Sequence, residues 1–245
     1  MKDRIIGLAL GTLHRMGAAL AGDRDGNRNG LVDLARNYAI EGVELTLGSF
    51  DLVLSFRPSG ENLGWLRSLR YVSIHGPVFG NGDGHGRAAK AVLDRMERLY
   101  ADCGASNIVL HPDGLPDAAW MRETPCALSL ENLAPAAGFG PARLGEALAE
   151  HPRAGFCLDL SHAFSGPVPE TEELLRRFGH RLRQVHVSAA EGERTHLRMK
   201  HASREMRDAF AALRGLGKPF LLEEELSDAS EVEEDLAILS SLLRD

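Results

Sequence analysis

Six side chains that can hold a metal ion close six short apolar runs in this chain. They are His75 after Val72-Ser73-Ile74, His111 after Ile108-Val109-Leu110 and Glu131 after Leu128-Ser129-Leu130. Asp159 follows Phe156-Cys157-Leu158, His186 follows Gln184-Val185, and Glu223 follows Phe220-Leu221-Leu222. The six recur roughly 20–37 residues apart. Apolar runs of this length read as buried strands. An unpaired charge in a protein interior is expensive, so six strand ends making the same choice point to one shared site.

Imidazole and carboxylate together make a nitrogen and oxygen ligand set. It suits Zn²⁺, Mn²⁺ or a similar divalent ion, one or two per chain, and lacks the thiolates of a structural zinc cluster. Each member alone has a plainer account. His75 before Gly76-Pro77 and His111 before Pro112 read as turn histidines bonded to backbone. Glu131 can cap a loop, Asp159 can be a helix N-cap, and Glu223 can pair with an arginine. Six such accounts would all have to fall at the same relative position on their strands.

The strand-like runs alternate with amphipathic stretches. Ala88, Val92, Met96 and Leu99 give 87–100 a helical period, and similar patterns run over 31–38, 141–150, 170–178, 204–213 and 231–243. Short Gly- or Pro-containing loops, at Gly104, Pro125, Pro152 and Pro219, lead into the following strands. With 5–10 and 42–45 added, about eight β/α units fill 245 residues, the size of a TIM barrel. A doubly wound sheet also alternates strand and helix but gathers its site at a switch point. Polar residues at the carboxyl ends of six strands favour the barrel. The expected fold is a single-domain (β/α)8 barrel over 1–245, with 51–56 as an additional strand-like segment near the mouth.

Composition is that of an ordinary globular protein, with 44% hydrophobic and 26% charged residues. The net charge of −7 argues against a general nucleic-acid binder. No run approaches the ~18 apolar residues of a membrane span, and the first residues do not read as a signal peptide. Cys103, Cys126 and Cys157 lack metal-finger spacing and read as buried reduced thiols, consistent with a cytoplasmic protein.

The segment Gly155-Phe156-Cys157-Leu158-Asp159-Leu160-Ser161-His162 resembles the sixth-strand signature of the xylose isomerase-like TIM barrels. That superfamily includes the sugar phosphate isomerases and epimerases and endonuclease IV (AP endonuclease family 2). The other strand ends fit in order, so the resemblance covers nearly the whole chain. In the endonuclease branch it implies that His75, His111 and Glu131 hold one ion. Glu131 would bridge to a second ion held by Asp159, His186 and Glu223. In the isomerase branch it implies a single ion on Glu131, Asp159, His186 and Glu223, with Glu131 and Glu223 moving protons on the substrate. A third endonuclease ion needs His162 and an Asp-x-His pair, where this chain has Arg194-Thr195-His196. The arginine stands against that ion and is a candidate clamp for a phosphate or carboxylate, or a solvated loop residue.

Other signals are weaker. Asp25 to Asp33 matches a calcium loop except at position twelve, where the closing glutamate is Arg36. A loop with Asn29 near a helix start is the plainer reading. Gly80 to Gly86 is glycine-rich without a Walker ending and reads as a mobile lid. Glu44 closes the second strand and is either a substrate-binding residue at the mouth or half of a core ion pair. Glu225 shares strand parity with Glu223 and is its understudy.

Three functions follow. The first is a divalent-metal-dependent isomerase or epimerase of a sugar, sugar phosphate or polyol, with Glu131 and Glu223 catalytic and Glu44, His162, Arg194 and His196 binding substrate. The second is an endonuclease IV-like dinuclear zinc phosphoesterase, for which His75 and His111 speak. The third is a barrel that only binds a metal or small molecule. The expected partner is a carbohydrate-like small molecule.

Overall fold

The computed structural model describes residues 4–16, 28–80 and 86–244. Positions 25–27 of the calcium-loop match and 81–85 of the glycine-rich segment lie outside the described residues.

Eight parallel strands close into a barrel. They are β1 (Ile6–Ala9), β2 (Gly42–Thr46), β3 (Tyr71–His75), β4 (Asn107–Leu110), β5 (Leu128–Glu131), β6 (Gly155–Asp159), β7 (Leu182–Val187) and, last in the chain, β10 (Phe220–Leu222). The order around the barrel is sequential, and pairing of Ile6 with Phe220 closes it. A hairpin of β8 (Ala189–Glu191) and β9 (Arg194–Leu197) interrupts the alternation between β7 and β10. The helices are α1 (Arg28–Ala35), α2 (Phe50–Ser55), α3 (Gly60–Ser68), α4 (Arg87–Cys103), α5 (Ala118–Glu123), α6 (Pro141–Glu150), α7 (Leu160–Phe164), α8 (Thr171–Phe178), α9 (Arg204–Leu213) and α10 (Ala229–Arg244).

Strand alternation explains both the core and the site. Successive side chains point to opposite faces. Val43, Leu45, Val72, Ile74, Ile108, Leu110, Leu128, Leu130, Phe156 and Leu158 pack outward in the shell beneath the helices. The remaining positions line the barrel, so Ser73 lies below His75, Ser129 below Glu131, Cys157 below Asp159 and Gln184 below His186. Helix α4 shows the matching 3.6-residue stripe, burying Ala89, Val92, Met96, Leu99 and Cys103. It stops at Gly104, whose φ of 66° suits glycine. Between β1 and β2 the backbones meet at Gly7 and Gly42; a Cβ on Gly7 would sit 2.1 Å from the Gly42 carbonyl oxygen.

The segment 51–56, expected to be strand-like, is instead helix α2. Ser49 caps it by accepting from the Leu52 N–H at 3.2 Å, and Asp51 lies in its first turn. N-capping and tertiary packing override the local alternation here. Helices α3, α5 and α7, unread in the sequence, begin in the same way at Ser59, Asp117 and Asp159. Asn29 lies in α1 and bonds to the start of α3, accepting from the Ser59 N–H at 2.9 Å. All three cysteines are buried and unpaired. No helix among the described residues is long and apolar enough to cross a membrane.

Candidate metal centre

Strand ends bring the six expected ligands into two sets, His75–His111–Glu131 and Glu131–Asp159–His186–Glu223, and among the described residues Asp159 forms a third with the expected substrate-binding residues His162 and His196. Within each set the ligand atoms lie within 4.8 Å of one another. Glu131 belongs to the first two sets and Asp159 to the last two.

Glu131 divides its oxygens between neighbours. Oε2 lies 3.0 Å from His75 Nε2 and 3.5 Å from His111 Nε2. Oε1 lies 3.1 Å from His186 Nδ1 and 3.8 Å from His162 Nδ1. Glu223 Oε2 lies 2.7 Å from His186 Nδ1, yet it accepts no hydrogen bond. Asp159 Oδ1 accepts from Ser161 Oγ at 2.9 Å and from the His162 N–H at 2.7 Å, while its Oδ2 is buried without a partner. Glu131 thus pairs with both His75 Nε2 and His186 Nδ1, whereas Glu223 Oε2 and Asp159 Oδ2 stay unpaired in the same interior.

The electrostatics agree. Burial raises the Glu131 carboxyl, but His186, His111 and His75 hold it well below the ordinary carboxylate range. Burial likewise opposes ionisation of Glu223, and His186 brings it down to about 2. Burial depresses His75, but Glu131, then Glu44 and Glu223, lift it to about 9. His186 and His162 are raised by neighbouring acids against the same desolvation. Glu44, Glu131, Asp159 and Glu223 thus crowd one interior with histidines as their charged partners. This nitrogen and oxygen donor set, with Glu44 Oε1, Asp159 Oδ2 and Glu223 Oε2 all unpartnered, fits divalent cations.

Beneath the ring lies a hydrogen-bonded floor. Glu44 Oε2 accepts from Ser73 Oγ at 2.9 Å and from Gln184 Nε2 at 2.7 Å. Gln184 Oε1 accepts from Tyr71 OH at 2.6 Å and from Asn107 Nδ2 at 3.1 Å, and Asn107 Oδ1 accepts from Ser129 Oγ at 3.0 Å. Glu44 Oε1 faces His186 Nε2 at 3.0 Å. Glu44 is therefore not at the mouth, because its position two residues before Thr46 puts it one layer down, fully buried. Ser73, Asn107, Ser129 and Gln184 were missed in the sequence. Their signal was a polar residue repeatedly placed two before a ligand, at Ser73, Ser129 and Gln184.

The remaining candidates divide. His162 and His196 meet edge to face with ring centroids 5.0 Å apart. His162 Nδ1 donates to the Asn132 carbonyl at 2.9 Å and His196 Nδ1 to the Glu223 carbonyl at 3.0 Å, which leaves both Nε2 atoms free. His196 adopts φ 55° to reach this place. Asp159 brings a carboxylate to this pair, so the third set forms without an acid at position 194. Arg194 itself is exposed and lies 3.5 Å from Glu191. Glu223 turns into the site, whereas Glu225 is exposed and pairs with Arg15. The parity expected of the two glutamates fails because β10 ends at Leu222.

No family model and no curated protein sequence matches this chain. Solved structures do match, and they share the (β/α)8 barrel fold. Endonuclease IV from Thermus thermophilus is 19% identical with a TM-score of 0.68, covering 98% of each chain. A D-tagatose 3-epimerase-like protein is 14% identical with a TM-score of 0.63, covering 98% of this chain and 97% of that one. A xylose isomerase domain protein from Alicyclobacillus acidocaldarius subsp. acidocaldarius is 14% identical with a TM-score of 0.63, covering 97% and 98%.

Proposed function

We propose that this chain is a divalent-metal-dependent phosphoesterase acting on a small, carbohydrate-like phosphoester. The observation that carries the reading is the bridge at Glu131, whose two oxygens serve two histidine sets. A single-ion isomerase needs only Glu131, Asp159, His186 and Glu223, and it leaves the approach of His75 and His111 to Glu131 unused. The likeness to endonuclease IV, itself a fold-level observation, is consistent with this choice.

His75, His111 and Glu131 would hold one ion, and Glu131, Asp159, His186 and Glu223 a second. Bound divalent ions supply Lewis acidity toward a phosphoryl group and acidify water near neutral pH. The chain does the rest. Glu131 fixes the spacing of the two sets, and the buried floor that contains Glu44 fills the barrel beneath them. His162 and His196 offer free Nε2 atoms at the mouth, where they can meet a substrate oxygen. The net charge of −7 favours a small phosphoester over a nucleic-acid polymer.

One observation favours a second reading, a metal-dependent sugar isomerase or epimerase. Glu131 and Glu223 both reach His186 Nδ1 and so flank one site, as a pair of proton-transfer groups must. Protein loaded with zinc or manganese separates the two when assayed on p-nitrophenyl phosphate, its bis ester and a panel of ketoses in D₂O. Phosphoester hydrolysis without deuterium incorporation supports the first reading. Deuterium at a sugar carbon, with no hydrolysis, replaces it by the second.

A further inference from the structure

The ladder between β5 and β6 ends at Glu131 opposite Cys157. The Asn132 N–H still reaches the Cys157 carbonyl at 3.4 Å, and beyond that the Asn132 side chain takes over from the backbone. Its Nδ2 donates to the Asp159 carbonyl at 2.9 Å, and its Oδ1 accepts from the Asp159 N–H at 2.8 Å. One amide thereby satisfies both main-chain groups of one residue, as a neighbouring peptide would. Asn132 is buried, and its own carbonyl accepts from His162 Nδ1.

We infer that Asn132 is a positioning residue for the metal centre, holding the Glu131 and Asp159 carboxylates at ligand spacing and His162 in the tautomer that frees Nε2. The inference rests on the metal reading above and assigns a residue that reading does not use. Glu131 and Asp159 each end a strand. Between β5 and β6 the last backbone bond is the long one from the Asn132 N–H to the Cys157 carbonyl at 3.4 Å, so the Asn132 side chain is what ties the two strand ends beyond it. Asparagine is the residue that does so at this distance. Aspartate keeps the acceptor but sets an oxygen against the Asp159 carbonyl, serine offers a single group, and glutamine is one methylene too long. An outer partner that orients ligands in this way typically governs metal affinity by about 10–100-fold.

The test is zinc affinity, by competition with a chromophoric chelator, for the wild-type chain, Asn132→Asp and Asn132→Ala. Both variants are expected to bind at least about tenfold more weakly, with shifted absorption bands after cobalt loading. Variants that lose thermal stability yet keep wild-type zinc affinity and cobalt bands would show a merely structural amide and overturn the inference. The wild type alone supplies a check that needs no folded variant. Its Asn132 side-chain amide protons must resist solvent exchange, and fast exchange overturns the inference as well. A wild-type chain that binds no zinc defeats the metal reading and this inference together; one that binds, with unaffected variants, defeats the role of Asn132 alone.

Discussion

Glu44 Oε1 lies 3.0 Å from His186 Nε2, across the ring from Glu131 and Glu223. Gln184 Nε2 is 2.8 Å from the same nitrogen and, with two N–H groups, also donates to Glu44 Oε2. Glu44 Oε1 accepts no hydrogen bond, so it acts on His186 as a buried negative charge beneath the ring. Replacing Glu44 by Gln removes that charge. The new amide oxygen must take the place facing the two donors Ser73 and Gln184, which turns its NH₂ toward His186. An N–H group then faces the imidazole where a carboxylate stood. Glu44→Gln is expected to weaken zinc binding by about 10–100-fold, measured by chelator competition. Unchanged affinity would separate Glu44 from the metal centre.

The histidines set a pH dependence whose sign differs with and without metal. Lifted to about 9 in the fold from an ordinary 6.5, His75 stabilises the metal-free chain fully below about 6.5, and that contribution is lost as pH rises through about 9. Glu223, lowered to about 2, contributes above its ordinary 4.5 and is lost only as pH falls through about 2. Chelator-treated protein should therefore show a falling unfolding midpoint between pH 6.5 and 9. Zinc affinity should rise over that window, because ligands must shed protons to bind. Scanning calorimetry with chelator and with excess zinc checks both directions. A metal-free midpoint that rises with pH contradicts the assignment.

Away from the site, Arg198 ties the segment after β9 to α10. Its Nε donates to Asp235 at 2.7 Å and its Nη1 to Glu231 at 2.8 Å, with Glu234 on Nη2. Asp235 is fully buried beside Glu224, whose carboxyl is pushed up to about 9 by burial and by Asp235. Arg198→Met leaves that charge without its counterion and should cost about 3–5 kcal/mol in urea denaturation. A loss below about 1 kcal/mol would mean the cluster behaves like a surface pair.

The barrel and the cluster of candidate ligands were legible in the sequence because both follow from short-range rules. Apolar runs gave the strands, and the residue ending each run gave the ring. The floor was harder to read. Ser73, Ser129 and Gln184 sit inside runs that look simply apolar, and only closure of the barrel shows that alternate positions face one interior. Glu44 was misplaced for the same reason, since strand length beyond it decides its depth. Asn132 had no local signal, because its partner is the backbone of a strand 27 residues away. Helix α2 was hidden by an alternating pattern that its Ser49 cap outweighs.

The dinuclear centre stands or falls on His111. Metal content of zinc-loaded protein, by elemental analysis with anomalous diffraction, should show two ions about 3.5–4 Å apart with Glu131 between them. His111→Ala should lose one of the two and keep the ion on Asp159, His186 and Glu223. A single ion in the wild type, retained in full by His111→Ala, would contradict the bridge and leave a mononuclear site.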